Sequence, residues 1–150
     1  MSASNDFEAD VAKHIFNNDN IANLGDATGV RGSTAAGNLY IALHTADPGE
    51  GGKQNTSESV YTGPRIAVPR TTAGFTVSGT APTQIANAAA VEFAKNTAGT
   101  ETLTHFSIGY ESAGATKIIT SAALTTPITT TPTSNPIVRF AAGDLLATVD

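Results

Sequence analysis

A mainly β protein is predicted: an antiparallel jelly-roll-like β-sandwich with an N-terminal amphipathic helix and a flexible arm. Three observations carry that prediction. Leu39-Tyr40-Ile41-Ala42-Leu43-His44 alternates, with Leu39, Ile41 and Leu43 on one face and Tyr40, Ala42 and His44 on the other, the period of a half-buried strand. Asp47-Pro48-Gly49 then ends it, because proline offers no ladder donor and glycine tolerates positive φ. Short strands recur after it at intervals of roughly ten residues between Gly, Pro and Asn turns, about eight in all, which suits a jelly-roll.

Residues 5–17 read as the helix, capped by Ser4 or Asn5, with Asp6, Glu8 and Asp10 near the positive end of its dipole. Phe7, Val11, His14 and Ile15 form its apolar stripe. A helix this short needs something to pack on. Residues 20–37, with Gly25, Gly29, Gly32 and Gly37 among small polar side chains, read as an extended, adaptable arm. The division expected is therefore residues 1–37 as helix and arm and 38–150 as the sandwich domain. The helix is expected to lie outside the sandwich.

A second polar excursion follows at residues 46–64, mobile or part of an interface. Ile66 and Val68 share a face, and Pro69 suggests an edge or bulge. Phe75 and Val77 mark another strand, and residues 85–93 read as strand, turn and strand despite their alanines. Phe106, Ile108 and Tyr110 share a face of the clearest late strand, and Ser112-Ala113-Gly114 turns into the strand from Lys117 to Leu124. Residues 125–136 read as strand and then a proline-punctuated loop, and residues 137–140 and 145–150 close the sheet.

Composition narrows the function classes. Charged residues are 14% of 150, there is no Trp, and six Phe with Leu, Ile and Val must build a thin core. Oligomerisation or docking on a larger body is expected to supply part of the stability. With no cysteine, disulfides and thiolate metal sites are excluded. The net charge of −5, with eight Lys and Arg spread singly, argues against nucleic acid as a partner. No apolar run approaches the ~20 residues of a membrane span, and the polar N-terminal residues lack the basic start of a signal peptide. No membrane partner is expected, and the protein is expected to be made and used, or assembled, in the cytosol.

No chemistry announces itself. His14, His44 and His105 show no metal-ligand spacing, although His44 and His105 can meet across strands. No GxSxG elbow is present. Gly29-Val30-Arg31-Gly32-Ser33-Thr34 lacks the P-loop lysine. Asp47, Glu50 and Glu58 lack EF-hand spacing and read as a solvated loop. No enzyme activity, cofactor or metal is expected. Arg65 and Arg70 bracket one strand, as two solvated strand ends or, in the minority reading, as salt-bridge donors to an acidic partner.

Four segments together carry a resemblance: Leu39 to Pro48; Arg65-Ile66-Ala67-Val68 after Tyr61-Thr62-Gly63; Thr104 to Gly109; and Phe140-Ala141-Ala142-Gly143-Asp144-Leu145 with its closing strand. The chain resembles, from about Phe7 to Asp150, small virion proteins of tailed bacteriophages. These are often labelled tail fibre proteins, and some resemble jelly-roll capsid cement (decoration) proteins. The Gly-rich segment at 20–37 is longer than that pattern. The resemblance implies a virion protein, and the lack of repeats and the few aromatics favour the capsid. The leading expectation is a homo-oligomeric decoration protein, dimer or trimer, on the capsid surface. It would stabilise contacts between major capsid protein subunits through Phe7, Val11, Ile15, Asp47, Tyr61, Arg65 and Arg70. The rival expectation is a tail or tail-fibre component binding a host surface glycan, with Asp47, Tyr61 and Tyr110 as sugar contacts.

Overall fold

A computed structural model describes residues 3–79, 82–134 and 136–149. Among them run one helix, α1 (Asn5–Asn17), and nine strands. The strands are β1 (Asn38–His44), β2 (Ile66–Pro69), β3 (Phe75–Ser78), β4 (Thr83–Asn87), β5 (Val91–Glu92), β6 (Glu101–Gly109), β7 (Ile118–Thr130), β8 (Arg139–Phe140) and β9 (Leu146–Val149). They form a four-stranded sheet in the order β2-β1-β6-β7, a three-stranded sheet β3-β4-β9 and a ribbon β5-β8. The fold is mainly β with antiparallel sheets and one N-terminal helix, compatible with a β-sandwich. Asp150, placed in the closing strand by the sequence, lies outside the described residues.

Two compact units divide the chain: Met1–Asn38 with Val68–Val91 and Phe140–Asp150, and Leu39–Ala67 with Glu92–Arg139. In the first, β4 pairs antiparallel with β3 (Val77 opposite Ile85) and with β9 (Ile85 opposite Ala147). Asn87, 1% exposed, locks the far end of β4. Its side-chain amide donates to the Ala89 and Ala141 carbonyls, and its Oδ1 accepts from the Leu145 amide at 2.9 Å.

Helix α1 belongs to this unit's core, which corrects the expectation that it lies outside. Ser4 caps it by accepting from the Phe7 amide, and Asn18 closes it in the left-handed conformation at φ 62°. Its buried residues are Glu8, Ala9, Ala12 and Phe16, not the predicted stripe. The Phe16 ring meets Phe75 edge-on at 5.1 Å, a favoured aromatic geometry. Phe7 is 47% exposed, and Val11, His14 and Ile15 are intermediate. Two alanines let the helix approach the sheet closely with Phe16 as the large buried contact, so Phe7, Val11 and Ile15 sit at the margin and outside.

The Gly-rich segment is not an extended arm. Ile21 and Val30 exchange both backbone hydrogen bonds at 2.9 Å. Asp26 turns the chain between them, accepting from the Thr28 hydroxyl and amide and the Gly29 amide. Those hydrogen bonds, the Thr28 hydroxyl first, hold the Asp26 carboxyl below its usual pKa. Gly29 has φ +65°, and a Cβ there would lie 2.0 Å from the Ile21 carbonyl oxygen, so only glycine fits. Asn18 and Asn20 bond back to Ser33 and Gly32. Polar side chains thus do locally what an apolar core does elsewhere.

In the second unit, β1 and β6 pair with Ile41 opposite Ile108 and His44 opposite His105, so the two histidines do meet across strands. Leu39, Ile41, Leu43, Leu103, Phe106 and Ile108 fill the core. β1 is more than half-buried, however: Ala42 is 1% and His44 0% exposed. The polar excursion accounts for this by folding back on β1. Thr45 donates to the Ser57 carbonyl, Ser59 to the Leu43 carbonyl, and the Gln54 side chain to the Tyr40 carbonyl, all within 2.7 to 2.8 Å. The excursion is therefore a pinned cover on the sheet.

Candidate functional site

Within the second unit, the turn from β6 to β7 presents an open groove of about 440 Å³. Lys53, Tyr110, Glu111, Ala113, Gly114, Ala115, Thr116 and Lys117 line it. Tyr110 is 53% exposed just past the end of β6, and Lys53, Glu111 and Lys117 are exposed as well. Ala113, Gly114 and Ala115 leave the turn almost bare of side chains, with Gly114 at φ 82°. The result is an aromatic face, two ammonium groups and one carboxylate around a smooth wall. Neither Lys53 nor Lys117 forms an ion pair among the described residues.

Arg65 holds this turn from beneath. It is 7% exposed, and its Nε and Nη2 grip the two Glu58 carboxylate oxygens at 2.6 and 2.8 Å. Nη2 also donates to the Gly114 carbonyl at 2.8 Å, and Nη1 reaches the Glu111 carbonyl, Thr116 Oγ1 and Gln54 Oε1 at 3.0 to 3.2 Å. A guanidinium is the side chain with enough fixed donors to do this. Gln54, 0% exposed, completes the support: its backbone N–H donates to the Thr116 carbonyl, and its Oε1 also accepts from the Thr116 hydroxyl. A Cβ at Gly109 would fall 2.3 Å from the Gln54 side chain, so the close approach requires glycine there.

His44 and Ser107 are the nearest thing to a nucleophile and base. His44 Nδ1 lies 2.9 Å from the Thr56 carbonyl, and Nε2 lies 2.8 Å from Ser107 Oγ. A carbonyl only accepts, so Nδ1 carries the proton and Nε2 accepts from the serine. Burial pushes the imidazole pKa below its usual 6.5. Both residues are 0% exposed, so this pair joins strands and faces no substrate. Among the described residues no group of three or more His, Asp or Glu converges to hold a metal ion. No described helix is long and apolar enough to cross a membrane.

The residues singled out from sequence are thus dispersed. Tyr110 lines the groove, and Arg65 underlies it. Asp47 is exposed and accepts from the Gly49 amide. Tyr61 is half-buried and packs over Gly99, where an added Cβ would lie 2.2 Å from its ring. Phe7, Val11, Ile15 and Arg70 belong to the first unit. There Arg70 caps the end of α1, donating to the Ile15 and His14 carbonyls at 2.7 and 2.8 Å and to Ala36 at 3.3 Å. Neither arginine is a solvated strand end, because each donates to main-chain carbonyls of its own unit. Lys53, Glu111 and Lys117 carried no sequence signal beyond their charge.

The family model for podophage GP4 fiber I protein gp80 matches residues 2–148. The chain belongs to that family. Membership makes it a structural protein of a phage virion and upholds the resemblance at that level. The gp80 family's description points to a fibre rather than to a capsid cement. Among curated proteins no relative matches the sequence.

Proposed function

We propose that the chain is a subunit of a phage tail fibre that binds carbohydrate on the host surface through the groove at Tyr110. Membership of a fibre family is the observation that carries the fibre part. The groove supports the binding part, because it combines a half-exposed aromatic ring with charged hydrogen-bonding groups on a preorganised turn. Binding without chemistry is the proposed activity, since the Ser107 hydroxyl is sealed from solvent.

Assembly into a homo-oligomer is part of the reading. Strand β7 is an edge of its sheet and carries no charged side chain over thirteen residues; Pro127 blunts one point of it, and the stretch before that proline is open to pairing with a second copy. Capsid decoration, with Phe7, Val11 and Ile15 docked on the major capsid protein, draws support from the exposure of Phe7 but not from the family's description. Gold-labelled antibody on intact virions decides between them. Label on the tail is expected, and label over the shell refutes the fibre assignment. Purified protein is expected to compete with phage for adsorption to host cells, and Tyr110→Ala to abolish the competition. Unimpaired competition by that variant removes the groove from the reading.

A further inference from the structure

The molecule carries a net charge of −5, yet the groove gathers two of its eight cationic side chains against one carboxylate. The other charge close by, Arg65, is neutralised by its two-point contact with Glu58, so Lys53 and Lys117 set the local field. Their ammonium groups are unpaired among the described residues. Two unpaired exposed lysines on one groove repel each other and so favour an anion between them. The carbonyls of Glu111 and Gly114 and the hydroxyl of Thr116 are already bonded to Arg65 or Gln54. The wall therefore offers a ligand few free acceptors, and the strong donors left are the lysines.

Resting on the carbohydrate reading above, we infer that the groove selects an acidic saccharide. The sugar's anionic group would sit between Lys53 and Lys117, and its ring would lie against Tyr110 and the bare Ala113-Gly114-Ala115 wall. Glu111 faces the same space and opposes the anion, which gives the inference a test of opposite sign.

Titration calorimetry of the intact protein with a galacturonate trisaccharide and with its carboxyl-reduced galactose counterpart isolates the charge. The acidic sugar is expected to bind about tenfold tighter at low salt, and the preference to shrink as ionic strength rises. Lys53→Gln and Lys117→Gln are each expected to weaken it about threefold, the size of an exposed ion pair. Glu111→Gln should strengthen it, which a purely structural residue would not do. A glucose 6-phosphate arm shows whether sugar carboxylate or sugar phosphate is the preferred anion. Equal affinity for the acidic and neutral trisaccharides, with both lost in Tyr110→Ala, overturns the acidic inference and leaves carbohydrate binding standing. Binding of none of these, together with failure to block adsorption, overturns both.

Discussion

The Arg65 guanidinium engages both carboxylate oxygens of Glu58 while also holding the Glu111 and Gly114 carbonyls. One buried cation thereby joins the excursion after β1 to the turn after β6. Its side chain is 2% exposed against 26% for Glu58, so the pair is far better shielded than a surface bridge.

Arg65→Lys keeps the charge but loses the fork, so it is not conservative here. It is expected to cost about 3 kcal/mol, because Glu58 loses its two-point contact in a shielded site and the Glu111 carbonyl loses its donor. Urea unfolding measures the loss. Hydrogen exchange should show the 110–117 turn opening first, and unchanged protection there would show that Arg65 does not hold it.

Acid should destabilise the protein through His44. Its folded pKa lies below 6.5, the burial effect outweighing the Thr56 carbonyl and Glu58, with Arg65 and His105 also opposing its protonation. Stability is thus full above about pH 6.5. It falls as pH drops, because the unfolded chain takes up a proton the folded chain refuses, and it levels off below the folded pKa. The slope is at most about 1.4 kcal/mol per pH unit for this one site. Urea midpoints between pH 7.5 and 5 check it, with the histidine resonances followed by NMR to assign the proton. A His44 resonance titrating at or above 6.5 contradicts the burial argument.

Ser107→Ala leaves His44 Nε2 without its donor in a dry site. A loss of about 1–3 kcal/mol is expected from the stranded acceptor. Calorimetric melting reads it, and a neutral outcome would mean the imidazole finds another partner.

The two phenylalanines of α1 should behave oppositely. Phe16→Ala removes half of the edge-on pair with Phe75 and is expected to cost about 4 kcal/mol. Phe7→Ser, on the exposed side, should change stability by less than about 0.5 kcal/mol. Equal losses in thermal unfolding would contradict the burial pattern of the helix.

Gly29→Ala forces a Cβ onto the Ile21 carbonyl and should cost more than about 1 kcal/mol. Faster exchange of the Ile21 and Val30 amides is the expected signature. Wild-type exchange rates would show that the segment tolerates the clash.

Strands were legible where alternation was clean, as in Leu39-Ile41-Leu43 and Phe106-Ile108, because a period of two encodes a face directly. The helix is legible through its cap, but its inner face does not follow from side-chain size. Size suggested Phe7 and Val11, while the sheet accepts small Ala9 and Ala12 with Phe16 beyond them. Segment 20–37 looked loose because its order comes from Asn18, Asn20 and Asp26 bonding to backbone, which hydropathy does not register. The groove was hardest to foresee. Tyr110 stood out as an aromatic on a strand, but Lys53 and Lys117 line one groove only because β6 and β7 pair and Gln54 pins the excursion to Thr116.

Arg65 secures the 110–117 turn chiefly by its main-chain oxygens at positions 111 and 114. An anchor of that kind is blind to the side chains at Ser112, Ala113 and Ala115. Substitutions at Ala113 and Ala115, which line the groove, would redraw the shape of the wall while the scaffold stays put, so under the proposed fibre reading the ligand could change without a change of fold.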